Sequence, residues 1–182
     1  MPFPAIVGQP IQGRTIAPQS AFSVGSHVGL IGAPASTVWP GATGGVAMYV
    51  PFRIAQAVRV AGFYWMNGAT VNGNTDCGVY DVSGTKLASA GATAQAGANS
   101  IQTVALGTAI IIPGGRVYYL ALFSTSATAT YFISTALTAE EARHVGITDQ
   151  TAIGSALPAT MTRSTPATGN IPVFGIYSGN VP

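Results

Sequence analysis

Charged side chains are the scarcest feature of this sequence. Its 182 residues include seven Lys or Arg and five Asp or Glu, 7% in all, against about a quarter in an ordinary soluble domain. Apolar residues make up 48%, enough for a real core. A charged shell of normal density therefore cannot be built. The surface must be filled by Ser, Thr, Asn and Gln, or covered by other chains. Disorder of the low-hydropathy, high-charge type is excluded. The net charge of +2 comes from cations scattered along the chain, which excludes a polybasic nucleic-acid binder.

The length suits one domain with arms to spare. The most apolar stretch, residues 104–123, is cut by Pro113-Gly114-Gly115-Arg116. It falls short of the ~20 unbroken apolar residues of a spanning helix, so no membrane span is expected. Met1-Pro2-Phe3-Pro4 lacks a basic region and an apolar run, so no signal peptide is expected. Cys77 is the single cysteine, which leaves no internal disulfide and no cysteine-based zinc site.

Proline and glycine divide the chain. Residues 1–45 hold Pro2, Pro4, Pro10, Pro18, Pro34 and Pro40, with glycines between them; this spacing defeats a helix and interrupts sheet pairing. The apolar content of Ile6, Val7, Phe22, Val28 and Leu30 predicts an extended arm that packs on a neighbouring subunit, not a solvated tail. Residues 46–182 then form the folded domain. Strands are predicted at 46–52 and 57–65. In the second, Val58, Val60, Gly62 and Tyr64 take one face and Arg59, Ala61, Phe63 and Trp65 the other. A polar loop follows at 66–76. Residues 77–82 and 86–88 read as a hairpin around Ser83-Gly84, and 91–99 as a small-residue linker. Strands follow at 101–106, 109–112 and 116–123. The last places Val117, Tyr119, Ala121 and Phe123 opposite Tyr118, Leu120 and Leu122. Strands at 129–133 and 171–177 complete an all-β antiparallel sandwich or jelly roll. One short helix is predicted near 138–145, because Thr138 and Glu141 have capping-box spacing and Gly146 supplies a stop. Residues 147–170 read as loop.

Catalytic and metal-binding patterns are sparse. A Ser/His/Asp site would have to use His27 or His144 with Asp76, Asp81 or Asp149, and no Gly-x-Ser-x-Gly elbow is present. Of the carboxylates, Glu140 and Glu141 diverge on a helix start, while Asp76 and Asp81 lie about 16 Å apart along one strand, which suits no glycosidase pair. Asn72-Gly73-Asn74-Thr75-Asp76 spaces oxygens at alternate positions like a calcium loop, but with one charge. Gly41-Ala42-Thr43-Gly44-Gly45 lacks the Lys-Ser/Thr ending of a phosphate loop. A glycan platform would need exposed rings, for which Tyr64, Trp65, Tyr80, Tyr118, Tyr119 and Tyr131 are the candidates. No catalytic, cofactor-binding or metal-binding residue is assigned, and no enzyme activity is expected.

Three segments carry a resemblance. Val60-Ala61-Gly62-Phe63-Tyr64-Trp65 is followed by Cys77-Gly78-Val79-Tyr80-Asp81-Val82-Ser83-Gly84-Thr85-Lys86-Leu87-Ala88. Pro113-Gly114-Gly115-Arg116-Val117-Tyr118-Tyr119-Leu120-Ala121-Leu122 comes last. The stretch from the first to the last covers about a third of the chain. The pattern resembles β-sandwich domains of tailed-bacteriophage virion proteins, of the capsid-decoration, head-fibre and tail-fibre types. Similar sandwiches occur in carbohydrate-binding modules. The resemblance implies a virion structural protein, assembled in the host cytoplasm and free of cofactors. No coiled-coil or repetitive shaft is visible, so a capsid decoration (cement) protein is expected. Its partners would be copies of itself in a homotrimer and the major capsid protein or other virion proteins, with neither nucleic acid nor membrane. The alternative is a carbohydrate- or receptor-binding module of a tail fibre or tail tip, with a glycan as partner.

Overall fold

The structure, a computed structural model, describes residues 22–23, 35–41, 43–151, 153–165 and 169–178. Most of the expected arm lies outside them. The elements are β1 (Phe22–Ser23), β2 (Ala35–Val38), β3 (Val46–Arg53), β4 (Val58–Met66), β5 (Asn74–Asp81), β6 (Lys86–Ser89), β7 (Thr93–Ala94), β8 (Ile101–Ile112), β9 (Val117–Ser124), β10 (Thr130–Leu137), α1 (Ala139–His144), β11 (Thr148–Gln150), β12 (Gly169–Pro172) and β13 (Phe174–Tyr177). The fold is an antiparallel all-β sandwich.

One layer is a six-stranded sheet in the order β11-β3-β9-β5-β6, with β7 beside β6 on the outer edge of β5. The other layer combines a four-stranded sheet, β1-β13-β4-β8, and a three-stranded sheet, β12-β10-β2. Val173, between β12 and β13, knits these two together. Its N–H donates to the Phe132 carbonyl (2.8 Å), and its own carbonyl accepts from Met66 N–H (2.9 Å).

The core between the layers follows from strand alternation. Met48, Val50 and Phe52 of β3, Cys77 and Val79 of β5, and Tyr118, Leu120 and Leu122 of β9 face Val60, Phe63 and Trp65 of β4 and Phe174 and Ile176 of β13. The two faces expected for β9 are the two observed. The hairpin at Ser83-Gly84 forms as expected: Gly84 has φ +89° and donates its N–H to the Asp81 carbonyl (3.0 Å). Helix α1 has the expected capping box. Glu141 N–H donates to Thr138 Oγ1 (3.1 Å) and Thr138 N–H to Glu141 Oε2 (2.7 Å).

Several details depart from the sequence expectations. In β4 the register slips between Val60 and Gly62, so Val60 shares the inner face with Phe63 and Trp65. Two steps along β4, from Val60 to Gly62, oppose five along β8, from Ile110 to Ala105, and this irregularity reverses the alternation. Gly62 is needed there, because a Cβ would strike the Tyr177 ring and the Val104 carbonyl. Strand β5 begins at Asn74, inside the expected polar loop, and part of the expected linker forms β7 against it. The two strands expected over 101–112 are one, β8. The expected strand 171–177 is two, β12 and β13, in different sheets. Parts of the expected arm also join the sandwich: β1 pairs with β13 and β2 with β10, and Trp39 is 1% exposed, edge-on to Tyr131 at 5.5 Å.

Core and surface positions should therefore respond differently. Leu120→Ala, at a fully buried site, should lose about 2–5 kcal/mol in urea unfolding. Val82→Ala, at a site 62% exposed, should stay within about 0.5 kcal/mol of the parent chain.

Candidate interaction surfaces

The outer face of the six-stranded sheet is aromatic, and it is covered. Tyr49, Tyr80, Tyr119 and Phe123 project from it, and all are buried. Tyr49 and Tyr80 meet edge to face at 5.2 Å. The cover is the segment 153–164, which lays Leu157 and Met161 on these rings, with Ile153 packed against them. Reading 147–170 as loop fits the backbone of this segment but misses its burial, and it misses β11 (Thr148–Gln150), which pairs with β3, and the start of β12 at Gly169.

Point contacts hold this strap, since it has little regular structure. Lys86 Nζ donates to the Leu157 carbonyl (2.7 Å), and Lys86 N–H to the Ala159 carbonyl (2.8 Å). Met161 N–H reaches the Gly84 carbonyl (2.9 Å). Tyr80 OH donates to the Pro158 carbonyl (2.6 Å), and Gln150 Oε1, at the end of β11, accepts from both Tyr49 OH (2.9 Å) and the strap's Thr162 N–H (2.8 Å). Arg163 stacks over the Tyr119 ring at 4.8 Å. Burial pushes the Tyr49 phenol up to about 12 and raises that of Tyr80 further, so both remain protonated donors at neutral pH.

Asp76 is the buried anchor of this layer. It is fully buried, and its Oδ2 accepts from Leu157 N–H (3.0 Å). Burial raises its pKa; the Leu157 bond and the nearby Lys86 ammonium pull it back only in part.

The residues with chemical potential are not brought together. His144 is 75% exposed in its side chain, at the end of α1, 3.6 Å from Glu140; His27 lies outside the described residues. Asp149 is buried in β11, where its backbone carbonyl accepts from Ser164 Oγ (2.5 Å). Asp76 and Asp81 occupy opposite ends of β5. The oxygens of residues 72–76 disperse: Asn72 Nδ2 donates to Thr128 Oγ1 (2.9 Å), Thr75 Oγ1 meets Tyr131 OH (2.5 Å), and Asp76 turns to Leu157. Gly44 and Gly45 form a turn packed on Thr125 and Ile153. All six candidate glycan-stacking rings are buried, Tyr119 being the most exposed at 9%. The described residues therefore present none of them as a platform.

The chain matches no protein-family model and no curated protein at a significant level.

The strap's anchor is testable by pH. Because the folded state raises the Asp76 pKa, its contribution to stability is greatest when the group is protonated. It declines as pH rises from about 4, the ordinary carboxylate value, through the raised one. Asp76→Asn keeps an acceptor for Leu157 N–H and removes that decline. Its stability relative to the parent should therefore improve from pH 4 to pH 7 in paired chemical denaturations. Asp76→Ala leaves a buried N–H unpaired and should lose about 1–3 kcal/mol.

Proposed function

We propose that this chain is a non-enzymatic structural protein of a tailed-bacteriophage virion. Within that class, it acts as a capsid decoration (cement) protein that stabilises the head through subunit contacts. The observation that carries the reading is the composition of the folded surface. Of five carboxylates, Asp76 and Asp149 are buried, which leaves Asp81, Glu140 and Glu141. Large apolar side chains remain outside: Ile111 is 71% exposed, Val82 62%, Ile101 60% and Val145 56%. A charge-poor surface with such residues suits a protein that works inside an assembly.

The resemblance to phage virion sandwiches supports the same reading. Its three segments build β4, the β5–β6 hairpin and β9, and β5 and β9 pair at the centre of the six-stranded sheet. The partners on this reading are two further copies of the chain and the major capsid protein. Binding, not chemistry, is the activity. The buried rings leave the glycan-binding alternative without a feature to favour it.

The purified chain should form a trimer by light scattering and sediment with empty heads of the phage that encodes it. A monodisperse monomer that stays in the supernatant would contradict the proposal.

A further inference from the structure

Strand β8 closes one edge of its sheet and leaves that edge bare. It runs for 12 residues, Ile101–Ile112, without a charge or a proline. Among the described residues only β4 pairs with it, and the sheet order ends there. Natural sheets guard their edges with short strands, charges, prolines or covering chain. The other outer strands of this fold follow that rule. The strap covers β6, where Lys86 N–H bonds the Ala159 carbonyl, and β11, where Asp149 bridges Ser164. Strands β1, β2 and β12 are two, four and four residues long.

Two hydrogen bonds fix which backbone groups of β8 are unused. Met66 N–H donates away from β8, to the Val173 carbonyl (2.9 Å), and Asn67 N–H donates toward it, to the Ser100 carbonyl (2.9 Å). Bonded and non-bonded pairs alternate along an antiparallel ladder. Met66 lies opposite Ile101, Tyr64 opposite Thr103 and Gly62 opposite Ala105. The N–H and C=O groups of Ile101, Thr103 and Ala105 therefore point away from β4. Their side chains share the outer face and are exposed, Ile101 by 60%. Residues 106–109 have no partner in β4, so the regular ladder stops at Ala105.

We propose that Ile101–Ala105 pairs antiparallel with the same residues of a second copy, across a two-fold axis at Thr103. In that register Thr103 faces the partner's Thr103, and Ile101 faces the partner's Ala105. Every outward N–H then meets an outward C=O. A register shifted by two residues leaves Ile101 or Ala105 without its mate. On the outer face a large side chain meets a small one and threonine meets threonine, pairings that suit a sheet. The segment has no charge to repel its own copy. A two-fold contact consumes both edges and so closes. This self-matching pattern is what favours a second copy over an unrelated strand. The contact is small, so it forms at high protein concentration or where an assembly holds copies close together. It would join one trimer of the proposed function to the next, but the edge argument does not rest on that function.

The test uses the full chain. Cys77 is the single cysteine and is fully buried, so Thr103→Cys adds the one accessible thiol. At millimolar concentration a short bismaleimide should link most of this variant into covalent dimers. Thr108→Cys, exposed beyond the regular ladder, should link several-fold less. Amide exchange gives a second readout. In the dilute chain Ile101, Thr103 and Ala105 should exchange fast, while Gln102 and Val104, bonded to β4, are protected. Raising the concentration should slow the first three several-fold. Thr103→Lys sets two ammonium groups opposite each other and should abolish that slowing, with unfolding curves to verify that it folds. Equal linking at positions 103 and 108, or exchange that ignores concentration, would overturn the proposal. Protection of the three amides already in the dilute chain would put the chain's own residues on the edge and overturn it too. Empty heads separate it from the functional reading. A chain that links through position 103 yet ignores heads keeps this contact and loses the decoration role. A chain that sediments with heads but never links keeps the role and loses the contact.

Discussion

Burial of strand β9 on both faces governs the architecture. Tyr118, Leu120 and Leu122 point into the space between the layers, while Tyr119, Ala121 and Phe123 point the other way. A strand apolar on both sides needs a cover on each. The β4–β13 layer supplies the inner one. The outer one is a strap of irregular chain, and its lack of a ladder explains its reliance on Asp76, Lys86 and Tyr80. Those polar groups bond to strap backbone that would otherwise be buried without partners. The sandwich therefore has a third, thin layer, and the sheet carrying the aromatic rings is closed to solvent on both sides.

How much of this was legible depended on whether the determining interaction was local. Strand β9, the Ser83-Gly84 turn and the Thr138–Glu141 capping box depend on neighbours in sequence, and all three appear as read. The β4–β8 irregularity arises in pairing with a distant strand, beside Gly62, which Tyr177 and Val104 crowd, so strict alternation put Val60 on the wrong face. Val173 is ordinary in sequence, yet its bonds to Phe132 and Met66 send β12 and β13 into different sheets. Trp39 lies among prolines and glycines that read as an arm, while its ring fills the core. The strap left one usable signal: Tyr49, Tyr80 and Tyr119 form an apolar outer face that a two-layer sandwich leaves uncovered, and Ile153, Leu157 and Met161 recur downstream to meet it.

The most direct measurement is a cryo-electron-microscopy reconstruction of heads carrying the bound chain. The account predicts ordered density for the sandwich at fixed lattice positions. Heads without such density would contradict it.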